Sequence, residues 1–181
     1  MTSSEIDGYF DALIRDVADF PKPGVLFKDI TPLLADHDAF TATVQALAAA
    51  GRDESGATVV DKVIGMEARG FILAAPVALA LGVGFVPVRK AGKLPAATYG
   101  VSYALEYGEA TLQMHIDALA AGERVLLVDD VLATGGTAAA TAELVERADA
   151  TVHALAVLME LSFLHGREAL GQTTLLALRT L

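Results

Sequence analysis

Two adjacent carboxylates and a short run of small, hydroxyl-bearing residues lie close together in the second half of the chain. Asp129 and Asp130 follow an apolar run at residues 125–128, which has the length and β-branched content of a buried parallel strand. Residues 134–137 begin a segment whose pattern predicts a helix that ends at Arg147. Ligands bind beyond the carboxyl ends of such strands, and helix N-termini bind anions. The segment therefore predicts a sugar-phosphate site, with hydroxyls and backbone N–H groups on a phosphate and the carboxylates on vicinal sugar hydroxyls.

The pattern at residues 125–137 resembles the phosphoribosyl pyrophosphate (PRPP) motif of type I phosphoribosyltransferases: an apolar strand, two acids, three residues and Thr-Gly-Gly-Thr. No Gly-Lys-Ser/Thr follows the glycines, and Gly-x-Gly-x-x-Gly is absent there, which disfavours nucleoside triphosphate loops and dinucleotide folds. The alternative to a binding site is a plain strand-to-helix turn. The resemblance implies that Asp129 and Asp130 hold the ribose hydroxyls. It assigns the 5′-phosphate to Ala133, Thr134, Gly135, Gly136 and Thr137.

Three further segments, in the same order as in that family, narrow the resemblance to adenine phosphoribosyltransferase. The first, at residues 21–31, is an X-Pro-rich, extended loop with one aromatic ring, which suits the binding of a flat base by stacking and edge hydrogen bonds. Without the family, Phe27 would more often be a core residue. The resemblance places adenine against Phe27 with the backbone of Leu26 at its edge, and it adds Lys28 and Val131 to the base site. Many relatives have arginine where this chain has Lys28.

The second segment, Gly-Met-Glu-Ala-Arg-Gly-Phe at residues 65–71, lies between a predicted strand and a predicted helix. Arg69 stands where a helix N-terminus can help it hold an anion. By resemblance it binds the pyrophosphate end of PRPP, and the Glu67–Ala68 bond is expected to be a non-proline cis peptide. The alternative is an Arg69–Glu67 surface pair in an ordinary turn.

The third segment, at residues 89–108, reads as a long mobile loop, since it has two glycines and a proline and little apolar periodicity before the tyrosines. Arg89 and Lys93, with Lys90 between them, supply positive charge for pyrophosphate, although such a cluster is usually a solvated face. In the family this loop closes over PRPP as a lid, here at about residues 90–108. The Leu-Glu-Tyr-Gly match puts Glu106 and Tyr107 at its tip.

The reaction implied by the resemblance transfers the 5-phosphoribosyl group from PRPP to N9 of adenine, giving AMP and pyrophosphate. Glu106 is the candidate acid or base, Tyr107 orients the closed loop, and Arg69 stabilises the departing pyrophosphate together with Arg89, Lys93 and Mg²⁺. Mg²⁺ is expected to be held mainly by substrate and water, with no dedicated protein metal site. The chain's histidines, His37, His115, His153 and His165, are isolated from one another and read as surface or core residues.

The elements that must position these groups alternate between helix and strand patterns, which predicts an α/β fold. Helices are predicted from Ile6 to Val17 and over residues 38–50 and 71–81, and strands over residues 59–66, 85–88, 111–116, 124–128 and 153–159. The family resemblance implies a mainly parallel twisted sheet flanked by helices, with a small base-binding hood at about residues 20–34. A charge-free run at residues 70–88 approaches transmembrane length, but Pro76, Gly82 and Pro87 divide it, so it reads as a buried helix and strand.

Composition is consistent with this assignment. The chain has 181 residues, 54% of them hydrophobic, which suits a single domain with a sizeable core. Its net charge of −10 disfavours a nucleic-acid or anionic-membrane surface, so a polyanionic substrate must meet local basic residues. The N-terminus lacks the pattern of a signal peptide, and the chain has no cysteine, so the cytoplasm is the expected location. A homodimer is implied by the family.

Two other functions compete with this assignment. A PRPP-sensing regulator would keep the phosphate loop while binding nucleic acid or protein, but it predicts an appended binding region or a basic face. A phosphoribosyltransferase for hypoxanthine, xanthine or orotate would differ in hydrogen-bond polarity at the base edge, since an adenine amine donates where a 6-oxo group accepts. Backbone groups near Leu26 can present either polarity, so adenine rests on the resemblance of the whole motif.

Overall fold

The computed structural model describes residues 3–104 and 109–181. The chain divides into two compact units, Met1–Gln45 and Ala46–Leu181. The sequence predicts one domain with a small hood, and the hood segment at residues 20–34 lies wholly within the first unit. Each unit is described by itself.

The first unit consists of short helices and one small antiparallel sheet. Its elements are α1 (Ser3–Leu13), β1 (Arg15–Ala18), β2 (Leu26–Asp29), α2 (Thr31–Ala35) and the start of α3 (His37–Ala48). The strands β1 and β2 pair antiparallel, from Arg15 opposite Asp29 to Ala18 opposite Leu26. The Phe20–Pro21 peptide bond is cis, and the Phe20 amide donates to the Val25 carbonyl at 3.2 Å, which closes the connection between the strands.

Two predictions for this unit are wrong. The first helix ends at Leu13 and not near Val17, which lies in β1 with 37% of its surface exposed. Residues 21–31 are not an extended loop throughout, because they contain β2. In both cases the pairing of β1 with β2 overrides the local pattern.

The second unit is built on a seven-stranded sheet. Its helices are α4 (Gly70–Leu81) and α5 (Gly136–Arg147), with 3₁₀ turns at Ala49–Gly51, Ser162–Leu164 and Gly166–Leu170. Its strands are β3 (Lys62–Met66), β4 (Gly84–Lys90), β5 (Thr98–Ala104), β6 (Glu109–His115), β7 (Arg124–Leu132), β8 (Thr151–Glu160) and β9 (Thr174–Thr180). The strand order is β5-β6-β4-β3-β7-β8-β9, parallel from β4 to β9 and antiparallel at β5 and β6.

The central strands are apolar because the core covers them. Residues 125–128 of β7 are all buried, as are Val63 and Ile64 of β3. A strand buried on both faces reads as a continuous apolar run, so the predicted α/β class and the mainly parallel sheet are confirmed. The charge-free run forms α4 and β4 as predicted, and no helix of the described residues is long and apolar enough to cross a membrane.

The chain changes direction between β3 and β7, and this creates a crevice. From β3 the chain passes through α4 to β4 on one side, whereas from β7 it passes through α5 to β8 on the other. The β3–β7 pairing ends at Gly65 opposite Val128, so the segments that follow diverge from there. Open α/β sheets bind ligands at such switch points.

The segment predicted as a long loop contains strand β5, which pairs with β6 along its whole length from Thr98 opposite His115 to Ala104 opposite Glu109. Tyr99, Val101 and Tyr103 alternate along β5 and pack against the core of the unit. This alternation is visible in the sequence and is the period of a half-buried strand.

Candidate active site

The loop between β7 and α5 leaves the N-terminus of α5 without a side-chain cap. β7 extends to Leu132, four residues beyond its predicted end, so Asp129 and Asp130 lie within the strand. Gly135 adopts φ +84° and caps α5 without any side-chain hydrogen bond to the helix. The N–H groups in the first turn of a helix have no partner within the helix and attract anions. The predicted phosphate loop at residues 133–137 therefore has the expected geometry.

These residues line a single cavity with one member of the carboxylate pair. The cavity is lined by Asp129, Val131, Ala133, Thr134, Gly135, Gly136 and Thr137, together with apolar residues of β3, β7, α5 and β8. The structure thus brings together the predicted phosphate residues and one of the predicted ribose ligands.

The 3₁₀ turn Gly166–Leu170 supports the phosphate loop from behind. A β-carbon on Gly135 would lie 2.4 Å from the Gly166 carbonyl oxygen, and one on Gly166 would lie 2.2 Å from the Ala133 carbonyl oxygen. Only glycine at both positions permits this approach of two backbones. The loop is therefore held in place before any ligand arrives.

An ion pair between a buried carboxylate and a largely exposed guanidinium fixes that 3₁₀ turn. Glu160, at the end of β8, is 3% exposed and accepts hydrogen bonds from Arg167 Nε at 2.5 Å and Arg167 Nη2 at 2.7 Å. Thr180 Oγ1 donates to the same carboxylate at 3.3 Å. The hydrogen bonds from Arg167 are the main cause of a lowered pKa of Glu160, which outweighs the opposing effect of burial.

The two carboxylates of the pair, Asp129 and Asp130, repel each other when both are charged. Asp130 is 4% exposed and Asp129 is half-buried. Burial, and next the charge of Asp130, raise the pKa of Asp129 well above its ordinary value. Arg69 Nε lies 2.9 Å from Asp130 Oδ2, and this buried oxygen accepts no well-aligned hydrogen bond from the described residues.

Gly70 brings the two sides of the crevice together. A β-carbon at this position would lie 2.8 Å from Asp129 Oδ1 and 2.9 Å from the Val128 carbonyl oxygen. The start of α4 therefore packs directly on the end of the paired part of β7, with Arg69 as the residue that precedes the helix. The predicted alternative, in which Arg69 pairs with Glu67, is wrong because Arg69 faces Asp130.

A second cluster, on the β3 side of the crevice, gathers the basic residues around one carboxylate. Glu67, with a side chain 7% exposed, accepts hydrogen bonds from Arg89 Nε at 3.2 Å, from the Lys90 amide at 3.1 Å, and from Lys93 Nζ. Burial acts to raise the pKa of Glu67, but these hydrogen bonds and charges together lower it. The Glu67–Ala68 peptide bond is cis, as the resemblance implied.

The predicted base-binding residues divide between the units. Leu26, Phe27 and Lys28 lie on β2 of the first unit, whereas Val131 lies on β7 of the second. The Phe27 ring stacks edge-to-face on Phe20, with centroids 5.0 Å apart, and Lys28 Nζ forms an ion pair with Asp16 at 2.5 Å. Among the residues that the structure describes, β2 forms a two-stranded sheet with β1.

The predicted lid residues Glu106 and Tyr107 lie outside the described residues. Among the described residues, no group of three or more histidine, aspartate or glutamate side chains is placed to hold a metal ion.

Sequence reasoning missed several supporting residues. It gave no role to Gly166, Arg167 or Glu160, and it treated Glu67 only as part of a turn. A glutamate that ends a long apolar strand is a signal for a buried, paired carboxylate, and this signal was available for Glu160.

Comparison with known proteins agrees with this architecture. Residues 33–168 match the family model of the phosphoribosyl transferase domain. The crystal structure of adenine phosphoribosyltransferase from Thermoanaerobacter pseudethanolicus superposes with a TM-score of 0.90 at 47% identity, covering 99% of this chain and 100% of that one. The enzyme from Saccharomyces cerevisiae, complexed with an imino-altritol bisphosphate and adenine, gives a TM-score of 0.91 at 37% identity, covering 97% and 99%. The fold and the site define a phosphoribosyltransferase.

The curated relatives are more specific. Adenine phosphoribosyltransferase from a Nocardioides species is 75% identical over 93% of this chain and 91% of its own length. The protein of the same name from Streptomyces coelicolor is 66% identical over 87% of this chain and 84% of its own length. The chain belongs to the adenine phosphoribosyltransferase family.

Proposed function

We propose that this chain transfers the 5-phosphoribosyl group from PRPP to N9 of adenine, giving AMP and pyrophosphate, a purine-salvage reaction. The observation that carries the proposal is the crevice of the second unit. On one side of it, β7 holds the carboxylate pair and leads into the uncapped N-terminus of α5. On the other side, a cluster of basic residues lies close to the end of β3. These are the groups that a molecule with a phosphate, a ribose and a pyrophosphate requires.

The 5′-phosphate binds at the start of α5 in this proposal. Ala133, Gly135 and Gly136 contribute backbone, while Thr134 and Thr137 add hydroxyl donors. Because Gly166 supports the loop from behind, its N–H groups are already oriented, and binding needs little reorganisation.

The ribose binds through Asp129 and Asp130, which accept hydrogen bonds from its 2′ and 3′ hydroxyls. As the bond to pyrophosphate breaks, positive charge develops on the sugar ring. That charge relieves the repulsion between the two carboxylates, so the pair stabilises the transition state more than the ground state.

The departing pyrophosphate is stabilised by Arg69, Arg89 and Lys93. In the free protein these cations face Asp130 and Glu67. An incoming pyrophosphate competes with those carboxylates for the same cations.

The carboxylate pair fits Mg²⁺ that is held mainly by substrate and water. Asp129 and Asp130 offer the hard oxygen atoms that Mg²⁺ prefers, and Asp130 Oδ2 is buried without a well-aligned hydrogen bond among the described residues. When bound, Mg²⁺ would neutralise charge on the pyrophosphate.

Glu106 is proposed as the acid or base that moves a proton at the purine, and Tyr107 as the residue that orients the closed lid. E106Q is expected to slow single-turnover AMP formation about 100-fold. Unchanged single-turnover rates would remove the acid–base role from Glu106.

The base site is proposed to include Phe27, as a stacking surface, and backbone groups of Leu26. The ring already has an aromatic neighbour in Phe20, and the backbone of β2 can supply edge hydrogen bonds. Lys28 is engaged by Asp16, so its contribution is proposed to be smaller. Val131 is proposed to contact the nucleotide from the cavity at the phosphate loop.

A homodimer is proposed from the outer face of α4. This helix has no charged residue, and Leu79 and Ile72 on it are 82% and 45% exposed. Exposed apolar faces of this kind mark association surfaces. L79E is expected to halve the mass measured by sedimentation, whereas E143Q on the other helix leaves it unchanged.

The cytoplasm is the proposed location, supported by the lack of cysteine.

The decisive test offers Mg·PRPP with adenine, hypoxanthine, guanine and orotate separately, while nucleotide and pyrophosphate are measured. Turnover with adenine alone supports the proposal. Turnover with another base would reassign the base site, and PRPP binding without transfer to any base would favour a PRPP-sensing regulator.

A further inference from the structure

A tyrosine outside the predicted site contacts the phosphate loop directly. The hydroxyl of Tyr103, on β5, lies 3.2 Å from Oγ1 of Thr137, in the first turn of α5. Both side chains are half-buried. This side-chain contact therefore joins the β5–β6 hairpin to the proposed 5′-phosphate site.

The surrounding packing holds Tyr103 in this place. Tyr99 and Tyr103 share the inward face of β5 and pack against the core that includes α5. At the other end of α5, Arg147 Nη1 donates to the Gly100 carbonyl at 2.6 Å. Among the described residues, these two side-chain hydrogen bonds link β5 to α5, and the Tyr103 contact reaches a proposed ligand-binding side chain.

The direction of this hydrogen bond follows from the chemistry of the two hydroxyls. A phenol is a stronger acid than an aliphatic alcohol, so Tyr103 is the better donor and Thr137 Oγ1 the better acceptor. Thr137 has one hydroxyl hydrogen. If its oxygen accepts from Tyr103, that hydrogen remains available for a phosphate oxygen, and each hydrogen bond in such a chain polarises the next.

We propose that Tyr103 is a positioning residue for the 5′-phosphate of PRPP, acting through Thr137. This rests on the proposed placement of that phosphate at the start of α5. Tyr103 fixes the rotamer and the hydrogen direction of Thr137, so that the Thr137 hydroxyl donates to the phosphate without first leaving another partner.

The first test compares Y103F with S102A. Ser102 lies next to Tyr103 on β5, and its Oγ is 2.7 Å from Thr111 Oγ1 on the neighbouring strand, so S102A removes a hydroxyl pair from the same hairpin without touching α5. Y103F is expected to raise KM for PRPP about three- to tenfold with kcat and KM for adenine unchanged. S102A is expected to leave all three unchanged.

Inhibition by ribose 5-phosphate and by pyrophosphate, the two parts of PRPP, separates the two proposed anion sites. In Y103F, the inhibition constant of ribose 5-phosphate is expected to rise by the same factor as KM for PRPP, while that of pyrophosphate stays constant. Equal weakening of both inhibitors would mean a general disturbance of the crevice and would overturn the proposal.

A double-mutant cycle tests the route through Thr137. T137V alone is expected to raise KM for PRPP, and Y103F is expected to add nothing in the T137V background. Additive effects of the two substitutions on KM for PRPP would overturn the role of Tyr103 and leave the phosphate assignment intact. A normal KM for PRPP in Y103F, with a raised one in T137V, would do the same. A normal KM in T137V would instead overturn the phosphate assignment, and the proposal with it.

Discussion

The two sides of the crevice, each proposed to bind an anion, are built by different physical means. On the β7 side, the phosphate loop consists of backbone and hydroxyl groups, and close backbone contacts between Gly135, Gly166 and Ala133 hold it rigidly. On the β3 side, the groups are long cationic side chains, and Glu67 engages Arg89 and Lys93. One side is preformed, whereas the other must exchange its partners.

The difference matches the fates of the two anions in the reaction. The 5′-phosphate remains on the sugar from substrate to product, so a fixed site serves both. Pyrophosphate must leave, and a cation cluster that returns to an internal carboxylate does not retain it. Rigidity and exchange are thus placed where the chemistry needs each.

The largest expected effect comes from removing the support of the rigid side. R167Q leaves the buried Glu160 carboxylate without its charged partner, and we expect the free energy of unfolding to fall by about 2 to 3 kcal/mol at pH 7. E143Q, which breaks the exposed pair of Glu143 with Arg147, is the control and should cost less than about 0.5 kcal/mol. Urea unfolding of both variants measures the difference.

The pH dependence of this effect has a definite sign. The pKa of Glu160 is lowered in the folded protein, so its pairing stabilises the fold above the ordinary pKa of a glutamate and is lost as pH falls through the lowered value. The gap between R167Q and the parent should therefore shrink below about pH 4.5. A gap that stays constant down to pH 3 would argue against this ion pair as its cause.

The next effect concerns the shape of the phosphate loop. G166A places a methyl group against the Ala133 carbonyl, so the loop must shift, and we expect kcat/KM for PRPP to fall about 100-fold. G84A is the matched control, since the nearest atom to its new β-carbon lies 3.8 Å away. If G166A kept normal kcat/KM, the rigid description of this side would be wrong.

A smaller effect is expected between the two sides, at the carboxylate pair. D129N removes a carboxylate whose pKa is raised in the folded protein, and such a carboxylate destabilises the fold when it is charged. The free energy of unfolding of D129N should therefore exceed that of the parent by an amount that grows as pH rises from the ordinary aspartate pKa through the raised value. Above the raised value the difference should be constant. We expect a gain of about 1 kcal/mol at neutral pH, the usual size of one stabilising substitution. Transfer should meanwhile slow about 10- to 100-fold, because a charged hydrogen bond to the ribose is lost. Thermal unfolding across pH and turnover measure the two effects, and a destabilised D129N would contradict the strained pair.

The smallest expected effect sharpens the account of the exchanging side. E67Q keeps an acceptor for the Lys90 amide but removes the competing charge, so pyrophosphate should bind about three- to fivefold more tightly, and less so at high salt. Calorimetric titration with pyrophosphate measures this. Weaker binding would mean that Glu67 positions the cations and does not compete for them.

The segments whose chemistry is local in sequence were the most predictable. The strand, acids and glycine loop at residues 125–137 occupy consecutive positions, and the structure differs there only in the length of β7. α4 and β4 followed from composition and breakers, because Pro76 and Gly82 act locally.

The rest depends on contacts between distant segments. β1 and β2 form through mutual pairing, so Val17 followed a helical period in sequence and yet lies in a strand. The contact of Gly166 with Gly135 and Ala133 joins positions about thirty residues apart, and no local pattern encodes it. The contact of Arg69 with Asp130 likewise joins residues about sixty positions apart, whereas the alternative partner, Glu67, is near in sequence.

The approach of Gly70 to Val128 also sets a length. Because backbone meets backbone there, the distance between the start of α4 and the main chain of β7 is the same whatever rotamers the surrounding side chains adopt. We expect the crevice to select phosphorylated sugars by the spacing of their charged ends. A sugar longer by one carbon would have to be met by the long side chains of Arg89 and Lys93, because the backbone on the two sides cannot move apart.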